Sequence, residues 1–443
     1  MNEVSGHEGA EVSCSFEHLP AGRLHYLAAI SVFGGVVSDG YAIGSIGAVL
    51  PTATTALGAS VWDVGAMGSG TLFGLFSGSV IIGAAADRFG RKPLLCLGMA
   101  LAMLVSLLQG MVTSSFELVI LRYLLGVSLA ADYVAGSCYQ IEFARASNRG
   151  HLLGAMMLFW SFGFAFAFQA GYLLCSGGPD GWRWCLMLGA LPAGATCALR
   201  AWLPESPVWL HARARTEAAL RIVKRHFPRH DVIFPAMPRP DEGIVVNNSL
   251  LSPKIRRRLM VAIVILLGQL VPYFLVGTFL LNILAELGIR SPYIGGLIYT
   301  FFVVVGSVLG FFIVERMSRR RFLILTFLVC GMSLCLMSSG IPFTPVVLLA
   351  LFSVFALTLS AASCMQYVYF AELFPVVIRA SAQGMAQSTS RICVSLTTFG
   401  IPYISQLVGI NHVLQMTAVW LTAAGLICWA YAPETRDATL RAS

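Results

Sequence analysis

Apolar runs recur along almost the whole chain, broken by short polar turns and by one long polar stretch at residues 209–258. They fall at 24–50, 62–86, 93–113, 117–140, 151–175, 183–203, 259–285, 292–314, 322–339, 342–366, 382–408 and 411–432. Crossing a hydrocarbon core of about 30 Å takes about 20 residues of helix, which is the scale of these runs. Hydrocarbon leaves no partner for free backbone groups, and the runs are far too long for barrel strands, so they predict helices. The expected organisation is a tail (1–23), a six-helix bundle (24–208), a central loop (209–258), a second six-helix bundle (259–432) and a tail (433–443).

The polar punctuation repeats. Asp87, Arg88, Arg91 and Lys92 recur as Glu315, Arg316, Arg319 and Arg320, an offset of 228. Glu142 with Arg149 recurs as Glu372 with Arg379, an offset of 230, and Pro204-Glu205-Ser206 recurs as Pro433-Glu434-Thr435, an offset of 229. One spacing met three times at the edges of apolar runs predicts two homologous bundles with a site between them, the construction of secondary transporters.

Composition excludes a water-soluble globule. Of 443 residues, 57% are hydrophobic and 11% charged, under half the usual charged share of about 25%, and mean hydropathy is +0.78. The net charge of +8 is not a nucleic-acid signal here. Lys and Arg crowd one set of loops, at Arg88, Arg91, Lys92, Arg145, Arg149, Arg316, Arg319 to Arg321, Arg379 and the central loop, whereas the opposite loops hold little beyond Arg183 and Arg290. Cationic loops are retained in the cytoplasm, so both termini are expected inside, in a cell or inner membrane, with no cleaved leader. The eleven cysteines sit mainly in apolar runs without metal spacing and are read as packing. His211, His226 and His230 lack ligand spacing, so no metal site is expected. There is no phosphate-binding Gly-Lys-Ser/Thr loop, His-Glu-x-x-His or Gly-x-Ser-x-Gly, which argues against ATP drive and against an enzyme.

The loop Gly83-Ala-Ala-Ala-Asp87-Arg88-Phe89-Gly90-Arg91-Lys92 resembles the signature of the major facilitator superfamily, and Pro204-Glu205-Ser206-Pro207-Val208-Trp209-Leu210 resembles that of its sugar and metabolite porters. Ser38-Asp39-Gly40-Tyr41, Ala131-Asp132-Tyr133, Ala371-Glu372-Leu373-Phe374-Pro375 and the Arg391 region resemble the metabolite:proton symporters, the branch of phosphate, aromatic-acid and other organic-anion porters. The resemblance implies a twelve-helix, all-α membrane fold of two pseudo-symmetric bundles, acting as a monomer without a cofactor and coupled to protons. It also implies that Asp87, Arg88, Gly90, Arg91, Glu142 and Arg149 latch one state. The second-half counterparts Glu315, Arg319, Glu372 and Arg379 repeat that latch; Glu205 and Glu434, just past helix ends, are read as gate or packing elements able to bind the Arg149 and Arg379 loops. Ser318 stands where the second loop should repeat Gly90, which weakens a tight turn there.

Four charges remain that topology does not explain: Asp39, Arg122, Asp132 and Arg391. An ionisable side chain inside a membrane costs about 2.5–3.5 kcal/mol on insertion scales, so each is a functional candidate. Arg391 lies deep in the eleventh run and needs an anion; a guanidinium fork fits a carboxylate or phosphate, and a permanent pair with Asp39 or Asp132 is the alternative. A carboxylate in hydrocarbon is pulled between desolvation and any nearby cation, the property a proton coupler needs. In phosphate-type relatives, aspartates matching Asp39 and Asp132 are implicated in proton transfer and Tyr133 matches a substrate contact. Arg122 resembles the superfamily's arginine at that place and is expected to tune the acids. The seventh run, Gln269 to Gly277, has no acid of the kind phosphate porters carry there, and Pro272 and Gly277 are expected to break it. Trp160, Gln169, Gln269, Tyr273, Gln366 and Gln387 offer stacking and hydrogen bonds to a small organic molecule. The reading is a proton symporter importing a small organic anion, a carboxylate. A proton-antiport exporter and a non-transporting nutrient sensor of the same fold are the competitors.

Overall fold

A computed structural model describes residues 14–16, 19–20, 22–145, 148–228, 230, 232–234, 252–313, 316–366, 369, 373–374 and 376–435. The first half comprises α1 (Arg23–Leu57), α2 (Val61–Phe89), α3 (Arg91–Gln109), α4 (Ser115–Ala131), a π-helical turn (Asp132–Gly136), α5 (Ser137–Phe143), α6 (Arg149–Ser176), α7 (Gly181–Leu188) and α8 (Ala190–Ala201). Two shorter helices follow, α9 (Pro207–Ala212) and α10 (Thr216–His226). The second half holds α11 (Pro253–Glu286), α12 (Pro292–Ile313), α13 (Arg319–Met337), α14 (Pro345–Ser363), α15 (Val376–Val408) and α16 (Ile410–Tyr431).

α4, the π turn and α5 form the fourth crossing, and α7 with α8 forms the sixth. Among the described residues, eleven helical segments are long and apolar enough to span a membrane. α15, which carries Arg391, is the long helix outside that group, and it completes twelve crossings. Local signals start these helices. Ser60 and Asp63 exchange bonds at the start of α2, and Ser114 and Glu117 do the same at α4, each pair covering amides a helix end leaves bare. Pro253 and Pro345 open α11 and α14, where a missing N–H costs nothing.

The packing repeats with the sequence. In the first bundle α1 lies along α6, α2 along α4, and α3 along both α4 and α8; in the second, α11 lies along α15, α12 along α14, and α13 along both α14 and α16. The bundles meet through α1 with α11, α2 with α15 and α6 with α12. Small residues permit these approaches, as membrane helices without a hydrophobic drive require. A Cβ on Gly126 would overlap the Thr71 carbonyl of α2, and one on Gly306 would overlap the Leu357 carbonyl of α14.

Two expectations change. Residues 209–258 are not simply a loop: α9 and α10 occupy its first part. In addition, β1 (Cys14–Ser15) pairs in parallel with β2 (Val232–Ile233), tying the tail to the central segment. α11 stays helical through Pro272 and breaks instead at Phe279, whose φ/ψ are −106° and 17°. The break follows Gly277, whose carbonyl meets the bare backbone of Gly47 where α1 and α11 cross.

Candidate functional site

Two groups of side chains lie at the centre, joined by the π turn. The first is inside the first bundle. Arg200 Nη2 of α8 is 2.5 Å from Asp132 Oδ1, with both side chains almost fully buried. The guanidinium also donates to the carbonyls of Leu95 and Ser31, each at 3.1 Å. The pair presses on α1 at Gly35, where a Cβ would overlap Arg200 Nη2. Asp39, one turn further along α1, is 2% exposed, and Asp132, Arg200 and Arg391 all act on it electrostatically.

The second group bridges the bundles. Tyr133 follows Asp132 in the π turn, and the Arg391 guanidinium of α15 sits 4.8 Å from its ring centre while donating to Ser79 Oγ of α2. Trp160 Nε1 of α6 donates to Tyr133 Oη at 3.0 Å, and its ring stacks on Phe164 and meets Tyr273 of α11 edge-on at 5.4 Å. A cation over an aromatic face, backed by a satisfied indole, is a preformed platform. π turns of this kind are frequent at functional positions.

The other expected residues divide. Gln269 is buried, its amide donating to the Ala362 carbonyl at 3.0 Å. Gln366 is buried and Gln387 half-buried, one turn before Arg391. Gln169 is exposed, in one outward stripe with Phe162, Phe166 and Leu173, and does not join the central group. Arg122 is fully buried but reaches the Ala42 carbonyl at 2.9 Å and Ser45, so among the described residues it contacts neither carboxylate. It was expected to tune the acids; the cation in contact with Asp132 is Arg200. Arg200 was hidden in the sequence because it lies near the end of the sixth run, where a charge reads as topology.

At the basic ends of the helices, Arg91 pairs with Asp87 at 3.1 Å and with Glu142 at 3.2 Å, all within the first bundle. Exposed Arg88 lies over Phe89, 5.4 Å from its centre. Glu205 accepts from the backbone amides of Arg91 and Lys92, closing the start of α3. Gly90 has a φ of 107°, and a Cβ there would overlap Glu205. Glu434 repeats this for α13 through the amides of Arg319 and Arg320. Ser318, with an ordinary φ of −60°, needs no glycine because its hydroxyl donates to Glu434. Glu315 and Glu372, and the side chains of Arg149 and Arg379, lie outside the described part of the structure.

A cavity of about 390 Å³ lies at the opposite ends of α1, α2, α11 and α15, lined by Thr54, Thr55, Asn282, Glu286, Ser405 and Gln406 among others. Beside it Trp62 of α2 stacks on Tyr403 of α15, 4.7 Å between centres, so the two bundles touch there.

Residues 27–442 match the family model described as sugar (and other) transporter. The chain is 32% identical to the inner membrane metabolite transport protein YgcS of Escherichia coli over 96% of this chain and 95% of that one. It is 29% identical to the putative metabolite transport protein YaaU of the same organism, over 97% and 96%. Its fold is that of the E. coli xylose transporter XylE: a partially occluded inward-open structure superposes with a TM-score of 0.77 at 18% identity, covering 93% of this chain and 99% of the other. A sugar-analogue-bound structure described as a proton:xylose symporter gives 0.73, at 18% identity, over 94% and 99%. Twelve crossings, a doubled loop motif and these likenesses agree: the chain belongs to the sugar (and other) transporter family of the major facilitator superfamily, whose members are membrane transporters and not enzymes.

Proposed function

We propose that this protein is a proton-coupled symporter that imports a small organic anion, a carboxylate, by rocking bundle 24–208 against bundle 259–432. The observation that carries the reading is the placement of Arg391 of the second bundle against Tyr133 and Ser79 of the first, at the seam where a transporter of this build binds its cargo. A guanidinium held on an aromatic platform offers a fork to a carboxylate, and Trp160 and Tyr273 offer faces to the rest of the molecule. Asp39 and Asp132 supply the proton-binding groups, and protons are the coupling partner, with no cofactor. The excess of cationic loops supports the Asp87 face as cytoplasmic, and the inner-membrane relative and the proton:xylose symporter support location and coupling.

A second reading, a neutral sugar or polyol, is favoured by two buried polar atoms without hydrogen-bond partners, Gln269 Oε1 and Tyr299 Oη. Such atoms are costly unless something binds them. A thermal-shift screen of the purified protein, pairing each organic acid with its neutral counterpart, separates the readings, since a ligand of the folded state raises the midpoint. Acids should stabilise wild type and lose that effect in Arg391→Ala. Stabilisation by neutral sugars that survives Arg391→Ala would replace the anion reading. In proteoliposomes the ligand so found should accumulate with an inward proton gradient, and Asp132→Asn should exchange substrate but not accumulate it. Accumulation only with the gradient reversed would make the protein an antiporter.

A further inference from the structure

The charge opposite Asp132 was expected on α4 or α15 and stands on α8. Arg200 ties four segments together: it contacts Asp132 of the π turn, the Ser31 carbonyl of α1 and the Leu95 carbonyl of α3, from its own place in α8. Gly35 leaves the space this pair occupies. Other titratable groups around the site are Asp39 of α1, Cys96 and Lys92 of α3, Tyr139 of α5 and Cys197 of α8, with Arg391 of α15 acting on Asp39. Asp132 looks into the first bundle, while its neighbour Tyr133 looks out to Arg391 and Trp160. One turn therefore belongs to both the acid and the seam.

Resting on the proton-symport reading above, we propose that Arg200 is the positioning residue of the proton site. It anchors ionised Asp132, and protonation of Asp132 frees the π turn, which passes the change to the bundle interface through Tyr133. The proton comes from water and forms a bond to a carboxylate oxygen; the guanidinium keeps its charge and its two carbonyl contacts, so no buried cation loses all its partners. A void of about 10 Å³ lies on the Arg200 side of the pair, bordered by Ser31, Lys92, Leu95, Tyr139, Arg200 and Leu203. That is about the space of one water beside the guanidinium.

The test needs no substrate. Trp160 bonds Tyr133, so the part of the tryptophan fluorescence that Trp160→Phe removes reports on the turn, and it is titrated with pH in the purified full-length protein. Wild type should show one proton-binding transition, completed over about two pH units because occupancy changes about tenfold per unit. Arg200→Lys should keep the transition with a displaced midpoint; Arg200→Gln and Asp132→Asn should abolish it. Arg200→Gln alone leaves a buried carboxylate unpaired and unfolds readily, so the double variant Arg200→Gln/Asp132→Asn is the control: it should recover thermal stability and remain flat. A wild-type transition retained in folded Arg200→Gln or in the double variant overturns the proposal, as does a flat wild-type signal. Neither result bears on whether a proton gradient drives accumulation, which the proteoliposome assay decides separately.

Discussion

At the scale of single residues, the centre of this protein is defined by what its glycines leave room for. The Asp132–Arg200 pair fits because residue 35 carries no side chain. Adding a methyl there forces two buried, charged groups apart, and overpacking of this kind costs about 1–3 kcal/mol. Gly35→Ala should therefore lower the unfolding midpoint of the detergent-solubilised protein. Gly83→Ala, at a helical glycine with nothing near the added carbon, should be neutral or stabilise by up to about 1 kcal/mol. Equal midpoints for the two variants would show that the pair does not rest on the α1 backbone. At this scale the sequence was only partly legible. Asp39, Asp132 and Arg391 stand out because hydrocarbon makes any charge conspicuous. The partner of Asp132 did not, because it depends on which helix faces the turn. Gln169 shows the opposite limit: amide chemistry suggested a ligand contact, yet Phe162, Phe166 and Leu173 share its stripe, so helical periodicity turns it outward.

At the scale of elements, the repeat read from spacing is a repeat of bonds. Tyr139 donates to the Pro204 carbonyl as Tyr369 donates to the Pro433 carbonyl, both at 2.8 Å. Glu205 and Glu434 close the starts of α3 and α13 in the same way. Just before α3 and α13 the halves differ, Gly90 against Ser318, and the difference predicts an asymmetry. Gly90→Ala meets both a left-handed φ and the Glu205 carboxylate, and backbone strain alone costs about 1–3 kcal/mol. Ser318→Ala keeps its backbone and loses a capping-type bond, about 0.5–2 kcal/mol. Thermal midpoints of the two variants measured side by side should rank Gly90→Ala as the more damaged; the reverse order would mean that the turns are not built alternatively. Spacing could place these motifs but could not say what the glutamates bind. Their role as helix-end acceptors needs the fold that brings residue 205 back to residue 91.

At the scale of the whole molecule, the proposed rocking requires the two bundles to part where they now touch. On the cavity side that contact includes the ring stack of Trp62 on Tyr403, across α2 and α15. At the centre Arg391 reaches Ser79 across the same two helices. A rigid-body motion that opens one side closes the other, so fixing either contact should stop a full cycle. Cysteines at 62 and 403, in a background without native cysteines, are joined by a short bifunctional maleimide. Wild-type-like uptake before linking, and its loss after linking, is the expected outcome in proteoliposomes. The ligand found in the thermal-shift screen should still bind the linked protein from the opposite side, because linking blocks the motion without touching Arg391, Tyr133 or Trp160. Uptake that continues unchanged with the link complete would mean that α2 and α15 move as one body, and the seam between the two bundles would then have to lie elsewhere.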